Sequence, residues 1–116
     1  MDLERRHIRL PAKYRVYIEA DAAAGEDNSI EVCRALDVSL SGLQLELTRE
    51  LALNAYIHVG VEASGAAPLI LVAVVRWCRP ADADRPDTWR AGLELQPDAA
   101  DSDYSDWRRL LAQFDD

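Results

Sequence analysis

The chain has 116 residues, 49% of them hydrophobic, so it is long enough for one globular domain with its own core and too short for two. Its formal net charge of −8 argues against a general nucleic-acid binder, because such proteins carry a basic face over much of their surface. Positive charge is instead local, since Arg5, Arg6, Arg9, Lys13 and Arg15 all lie close to the N-terminus. This distribution favours a small anionic ligand.

The two cysteines, Cys33 and Cys78, lie in separate strand-like segments, which predicts buried free thiols and neither a disulfide framework nor a zinc site. The longest apolar run, residues 69–75, is too short to span a bilayer, and no basic-then-apolar leader precedes the first strand. We therefore expect a soluble cytoplasmic protein with no metal and no membrane insertion.

Alternation of apolar and polar residues predicts six β-strands. They cover residues 14–20, 30–38, 43–47, 55–63, 69–79 and 88–95. Leu43, Leu45 and Leu47 give the clearest alternation, and Pro80 is expected to end the fifth strand before a polar loop over residues 82–87. Six short antiparallel strands with tight connections favour a small closed barrel.

Beyond Pro97 the pattern changes to that of a helix over residues 102–114, with Asp101 or Ser102 as the expected N-cap. Its apolar stripe consists of Tyr104, Trp107, Leu110, Leu111 and Phe114. We expect this stripe to pack on the barrel, with docking of a partner as the alternative.

The connection between the second and third strands holds an Asp-x-Ser-x-x-Gly turn formed by Asp37, Ser39 and Gly42. A carboxylate suits the edge of guanine, which presents two neighbouring N–H donors, while a hydroxyl and backbone N–H groups can pair with its acceptors. Alone, this pattern is also common in ordinary hairpin turns. Loops held on rigid strands are nevertheless frequent sites of ligand binding.

The N-terminal arm, residues 1–10, adds an Arg-x-x-x-Arg pair, Arg5 and Arg9, whose guanidiniums can bind phosphates bidentately or stack on a base. The order and spacing of this pair, the Asp-x-Ser-x-x-Gly turn and a late strand over residues 89–95 resemble the PilZ domain. The resemblance covers nearly the whole chain. It implies one domain over residues 1–116, mostly β, with a six-stranded antiparallel barrel over residues 14–96 and a C-terminal α-helix.

The resemblance further implies a bacterial receptor for the second messenger cyclic di-GMP. Arg5 and Arg9 match the motif arginines that contact phosphate and guanine, with Arg6 as an auxiliary, and Asp37, Ser39 and Gly42 match the turn that holds the other guanine. Trp77, on the face opposite Arg76, either stacks on a base or fills the end of the barrel. Trp89 and Trp107 fit core positions.

Few apolar residues precede Leu10, so we expect the arm to be mobile when empty and to close over the ligand, creating a surface for a downstream protein effector. Motility, surface polysaccharide production and virulence control are outputs of such receptors, biofilm formation among their consequences, and the sequence does not choose among them. In the family, the residue just before the first motif arginine influences whether one ligand or a stacked pair is bound. Here that residue is Glu4, whose carboxylate repels the phosphates of a second ligand, so we expect one ligand per chain unless Arg6 supplies the missing cation.

No nucleophile, metal-ligand or phosphate-loop motif indicates an enzyme, so we predict no catalytic residues. The main alternative is a PilZ-like adaptor that docks a protein without binding nucleotide. A small-barrel nucleic-acid binder is a third possibility, disfavoured by the acidic charge and by the lack of an aromatic cluster on one strand face.

Overall fold

The structure, a computed structural model, describes residues 9–10, 13–20, 29–63 and 66–113. Its strands are β1 (Tyr14–Ala20), β2 (Ser29–Val38), β3 (Gly42–Leu47), β4 (Tyr56–Ala63), β5 (Leu69–Asp82) and β6 (Arg85–Leu95), and helix α1 (Tyr104–Ala112) follows them. The strands form a closed barrel in the order β1-β2-β3-β6-β5-β4, in which every neighbouring pair is antiparallel. The predicted six-stranded antiparallel barrel with a C-terminal helix is confirmed.

The barrel interior is filled by the inward residues that alternation predicts. On β3, Leu43, Leu45 and Leu47 are buried, and on β4, Ile57 and Val61 are buried as well. The apolar surface that these side chains remove from water contributes about 25 cal/mol per Å², which makes this interior the main source of stability. The outer faces of the strands remain available to carry polar groups.

The prediction for the β5–β6 connection was wrong. Pro80 does not end the fifth strand, because β5 continues to Asp82 and β6 already begins at Arg85, with Pro80 paired opposite Trp89. A proline lacks the N–H for a ladder hydrogen bond, but this exposed end of the hairpin tolerates its absence. The hairpin is therefore longer than predicted.

Helix α1 packs on the barrel through its apolar stripe, as expected, and Phe114, the last predicted residue of that stripe, lies outside the described residues. Trp107 is fully buried and Leu111 nearly so, and both belong to the barrel's core cluster. The predicted N-cap was wrong, since the cap residue is Asp103. Its carboxylate does not cap the helix but accepts a hydrogen bond from the backbone N–H of Ile70 at 2.8 Å, which ties the start of the helix to β5.

The prediction that both cysteine thiols are free and buried is only partly confirmed. Cys33 and Cys78 are both free, with Cys33 buried and Cys78 half-buried. Among the described residues, no group of His, Cys, Asp and Glu is arranged to hold a metal ion. None of the described helices is long and apolar enough to cross a membrane.

Candidate functional site

A pocket of about 260 Å³ lies on the outer face of the barrel beside the Asp-x-Ser-x-x-Gly turn. It is lined by Asp37, Ser39, Ser41, Gly42, Leu43, Gln44, Arg76, Trp77, Gly92, Leu93 and Glu94. Asp37, Ser39, Gly42 and Trp77, which were predicted from the sequence as site residues, therefore meet in one place. A larger cavity of about 430 Å³ beside α1 is lined mainly by alanines and other apolar residues, and it lacks such a convergence of polar groups.

Four of the lining residues form one continuous row across four strands. Asp37 on β2 lies opposite Gln44 on β3, Gln44 lies opposite Gly92 on β6, and Gly92 lies opposite Trp77 on β5. We call this set, Asp37–Gln44–Gly92–Trp77, the pocket row. It places a carboxylate at one end and an aromatic ring at the other, with an amide between them.

The carboxylate end of the pocket row depends on a β-bulge. Ala35 lies opposite Leu45 and Asp37 opposite Gln44, so Leu36 is an extra residue in β2. Ala35 packs against the core, and strict alternation would therefore turn Asp37 inward as well. The bulge reverses the phase, so that Val38 is buried and the Asp37 carboxylate faces the pocket.

A second bulge sets the aromatic end. Val75 lies opposite Leu93 and Trp77 opposite Gly92, which leaves Arg76 as an extra residue in β5. Val75 is fully buried, so alternation would direct Trp77 into the barrel, but the bulge turns its indole to the outer face. The expectation that Trp77 and Arg76 lie on opposite faces was wrong, because both line the pocket.

The indole of Trp77 lies directly over Gly92. A β-carbon built on Gly92 would lie 2.0 Å from the indole nitrogen, so any side chain there would displace the ring. The guanidinium of Arg79 lies 4.6 Å from the centre of the same ring, in a cation–π contact. Trp77 thus forms part of the pocket wall and is not a core residue, whereas Trp107 is fully buried and Trp89 packs against the core.

Ser39 shapes the turn through its hydroxyl. Its oxygen accepts hydrogen bonds from the backbone N–H of Gly42 at 3.2 Å and of Ser41 at 3.3 Å, and the hydroxyl lies 3.3 Å from the Gly42 carbonyl oxygen. Gly42 itself is required for a close approach, because a β-carbon there would lie 2.3 Å from the Leu93 carbonyl oxygen. Both motif residues therefore fix the backbone that borders the pocket.

The turn is also held from the side of the helix. The Trp107 indole N–H donates to the Ser39 carbonyl oxygen at 3.1 Å, and the Tyr104 hydroxyl donates to the Leu40 carbonyl oxygen at 2.8 Å. These bonds satisfy backbone acceptors that the β-ladder leaves unpaired in the turn. Helix α1 therefore stabilises the turn that carries the motif.

The pocket contains charges that the sequence analysis did not assign to it. The Arg76 guanidinium donates to the Glu94 carboxylate at 2.6 Å, and this contact lowers the pKa of Glu94. The Asp37 carboxylate, by contrast, makes no hydrogen bond or ion pair with the other residues that the structure describes. Arg90, Gly92 and Glu94 share the outer face of β6, opposite the inward Ala91 and Leu93, and this alternation was the available signal for Glu94.

The N-terminal part of the predicted site is only partly described. Arg5 and Arg6 lie outside the described residues, as does Glu4. Arg9 is exposed and is not among the residues that line the pocket. Val16 pairs with Cys33 on antiparallel strands, so β1 begins at the end of the barrel where β2 finishes and the turn starts.

Comparison with known proteins places this chain in a family. The family model of the PilZ domain matches residues 3–113, nearly the whole chain. No curated protein matches the chain. Solved structures described as a complex of K. pneumonia MrkH with c-di-GMP and as MrkH in its apo state share 15% and 16% identity with it, with TM-scores of 0.69 and 0.66.

A third similar structure is described as MrkH, a novel c-di-GMP dependence transcription regulatory factor, with 16% identity and a TM-score of 0.64. The matches to these three structures cover 93–94% of this chain and 48–50% of theirs, so the chain spans about half their length. At this level of identity the likeness concerns the fold. Together with the match over residues 3–113, it leads to one conclusion: the chain belongs to the PilZ domain family.

Proposed function

We propose that the protein is a receptor for cyclic di-GMP that binds the nucleotide on the outer face of the barrel. The observation that carries this proposal is the pocket row, in which a carboxylate and an aromatic ring share one face. The carboxylate is that of Asp37 and pairs with no other residue that the structure describes, and the ring is that of Trp77. Membership of the PilZ family and the fold shared with a c-di-GMP complex of MrkH support the same ligand.

The Asp37 carboxylate accepts the two neighbouring N–H donors on the edge of one guanine. Charge-assisted hydrogen bonds of this kind contribute about 1.5–3 kcal/mol each. Ser39 and Gly42 hold the turn in the conformation that directs Asp37 outward, and the Trp77 indole stacks on a base. In this account Asp37 and Trp77 contact the ligand, while Ser39 and Gly42 act mainly through the backbone.

Arg5 and Arg9, with Arg6 beside them, bind the phosphates and the second guanine. The resemblance of Arg5 and Arg9 to the arginine pair of the family motif supports this role. In addition, β1 begins at the end of the barrel where the turn lies, which suits an arm that reaches the pocket. Glu4 opposes a second ligand through repulsion, so we propose a stoichiometry of one cyclic di-GMP per chain. A calorimetric stoichiometry near two would contradict this point.

Binding acts as a signal without a chemical step. The arm closes over the nucleotide, and arm and ligand together form a surface for a downstream effector in the cytoplasm. Hydrogen exchange tests this mechanism: saturating cyclic di-GMP should slow exchange of the amides in residues 3–10. Unchanged exchange in those amides would exclude ordering of the arm as the signal.

The ligand itself is tested by titration against a matched nucleotide. Cyclic di-AMP has the same phosphate ring but presents no paired N–H donors like those of guanine, so it cannot satisfy the Asp37 carboxylate. We expect cyclic di-GMP to bind at micromolar or lower concentration and cyclic di-AMP to bind much more weakly. Equal affinities would mean that the site reads only phosphate.

A protein-docking adaptor that binds no nucleotide is the second candidate. Ile30 and Val32 favour it, because they project from the outer face of β2 with 65% and 61% of their surfaces exposed. An adaptor would show no heat of binding with cyclic di-GMP. If the protein is an adaptor, the wild type and Asp37→Ala should capture its protein partner equally well. If it is a receptor, Asp37→Ala should lose the capture that depends on cyclic di-GMP.

A further inference from the structure

A second row of residues crosses the same four strands immediately beside the pocket row. Arg34 on β2 lies opposite Glu46 on β3, Glu46 lies opposite Arg90 on β6, and Arg90 lies opposite Arg79 on β5. We call Arg34–Glu46–Arg90–Arg79 the basic row. Gln44 and Glu46 are two residues apart on β3, as are Trp77 and Arg79 on β5, so the rows are about 7 Å apart.

The positive charge of the basic row exceeds what its one carboxylate can neutralise. Glu46 is shared by the guanidiniums of Arg85 at 3.2 Å and Arg90 at 3.7 Å. Arg79 and Arg90 lie directly opposite each other, an arrangement of like charges that destabilises a sheet. Within the described part of the chain, Arg34 makes no ion pair. In a chain of net charge −8, this concentration of arginines indicates a surface that binds an anion.

Arg79 links the basic row to the pocket. The contact that the structure gives its guanidinium is with the ring of Trp77, at 4.6 Å from the centroid, and Arg79 is otherwise exposed. A cation–π contact at an exposed site is weaker than a charge-assisted hydrogen bond from a guanidinium to a phosphate oxygen. A phosphate arriving beside Trp77 would therefore draw the guanidinium away from the ring.

The size of the pocket shows that a dinucleotide must extend beyond it. The pocket holds about 260 Å³, below the range of about 300–1,000 Å³ that encloses a drug-sized ligand, and a cyclic dinucleotide is larger than most such ligands. One base therefore fills the pocket and the rest of the molecule lies on the barrel surface. The basic row is the adjacent cationic surface.

We propose that the basic row is a phosphate subsite of the ligand-binding face, with Arg79 as its principal contact and Arg34 as a secondary one. This inference rests on the proposed function. In the free protein the Arg79 guanidinium covers the Trp77 ring. On binding, it transfers to a phosphate oxygen of the cyclic dinucleotide and leaves the ring open to a base.

The test is the affinity for cyclic di-GMP, measured by calorimetry between 50 and 300 mM salt for the full chain and three variants. Arg79→Gln should weaken binding about tenfold and flatten the dependence of the dissociation constant on salt, since one phosphate contact is lost. Arg34→Gln should weaken it by a smaller factor. Arg108→Gln, the control, removes the same charge from an exposed position on α1 that does not line the pocket, and should change neither quantity.

A second readout follows the Trp77 ring itself. The indole N–H resonance of Trp77, assigned by its loss in Trp77→Phe, should shift in free Arg79→Gln because the guanidinium no longer covers the ring. If the wild-type chain binds cyclic di-GMP and both row variants match its affinity and salt dependence, the basic row is not part of the site, although the receptor function stands. If the wild-type chain does not bind, the receptor function fails and this inference falls with it.

Discussion

The indole of Trp77 fills the space above Gly92, where a β-carbon would lie 2.0 Å from the indole nitrogen. The same relationship occurs on β4, where a β-carbon at Gly60 would lie 2.2 Å from the ring of Tyr17. Only the first pair borders the pocket. A substitution at either glycine should therefore disturb packing, but only a substitution at Gly92 should also disturb the ligand site.

Gly92→Ala should weaken cyclic di-GMP binding by about tenfold or more, because a displaced indole loses a stacking interaction of about 1–3 kcal/mol per base. It should also lower the free energy of unfolding by about 1–3 kcal/mol through overpacking. Gly60→Ala is the matched control, with a similar loss of stability and unchanged affinity. Calorimetry and urea unfolding measure the two effects. Equal losses of affinity in both variants would mean that the Trp77 ring has no specific role in binding.

The two carboxylates of the pocket should respond in opposite directions when their charge is removed. Asp37→Asn should weaken binding by about tenfold or more, because the amide cannot accept two guanine N–H donors with equal strength. Glu94→Gln should strengthen binding, because it removes a negative charge near an anionic ligand and releases Arg76 from its ion pair. The measurement is the dissociation constant of each variant for cyclic di-GMP, compared with that of the wild type at the same salt concentration. Stronger binding in both variants would indicate that only the summed charge of the pocket matters, and weaker binding in both would mean that Glu94 also supports the ligand.

The bonds from helix α1 to the turn should be measurable as stability. Tyr104→Phe removes the hydroxyl that donates to the Leu40 carbonyl and should cost about 0.5–1.5 kcal/mol in urea unfolding. Trp107→Phe should cost more, because it leaves the Ser39 carbonyl unpaired and opens a cavity in a fully buried site. If Trp107→Phe unfolded at the urea concentration of the wild type, the helix would not support the turn.

Cys33 should make the protein less stable at alkaline pH. Burial, followed by the nearby Glu31 carboxylate, raises the pKa of the Cys33 thiol to about 12 from an ordinary value of 9.0. The unfolded chain therefore loses this proton at lower pH than the folded chain, so the contribution to stability is complete below pH 9 and declines from pH 9 towards 12. Cys33→Ala should flatten this decline in unfolding experiments at pH 8 and 10. If the free energy of unfolding of Cys33→Ala declined with pH as steeply as that of the wild type, other groups would be responsible for the decline.

Much of the architecture could be predicted because it depends on local alternation. The inward leucines of β3 are set by periodicity, as are Trp107 and Leu111 of the helix stripe, and these residues are buried. The Asp-x-Ser-x-x-Gly turn could be located for the same reason, since it separates two alternating segments. Asp37 and Trp77 nevertheless reach the pocket only because Leu36 and Arg76 are bulged.

A bulge adds one residue without a change in composition, so no local pattern predicts which face follows it. This is why Trp77 could be assigned either to a base or to the barrel interior from the sequence. The basic row could not be predicted from the sequence for a related reason. Arg34, Arg79 and Arg90 are distant in sequence and become neighbours only through the register of three strand pairs.

Isothermal titration of the purified protein with cyclic di-GMP, beside Asp37→Ala, Arg9→Ala and the stability control Gly60→Ala, tests the receptor function most directly. We predict micromolar or tighter binding by the wild type and by Gly60→Ala, and loss of binding in the other two variants. Absence of heat with the wild type, confirmed by a second binding method, would contradict the receptor function and favour the docking adaptor.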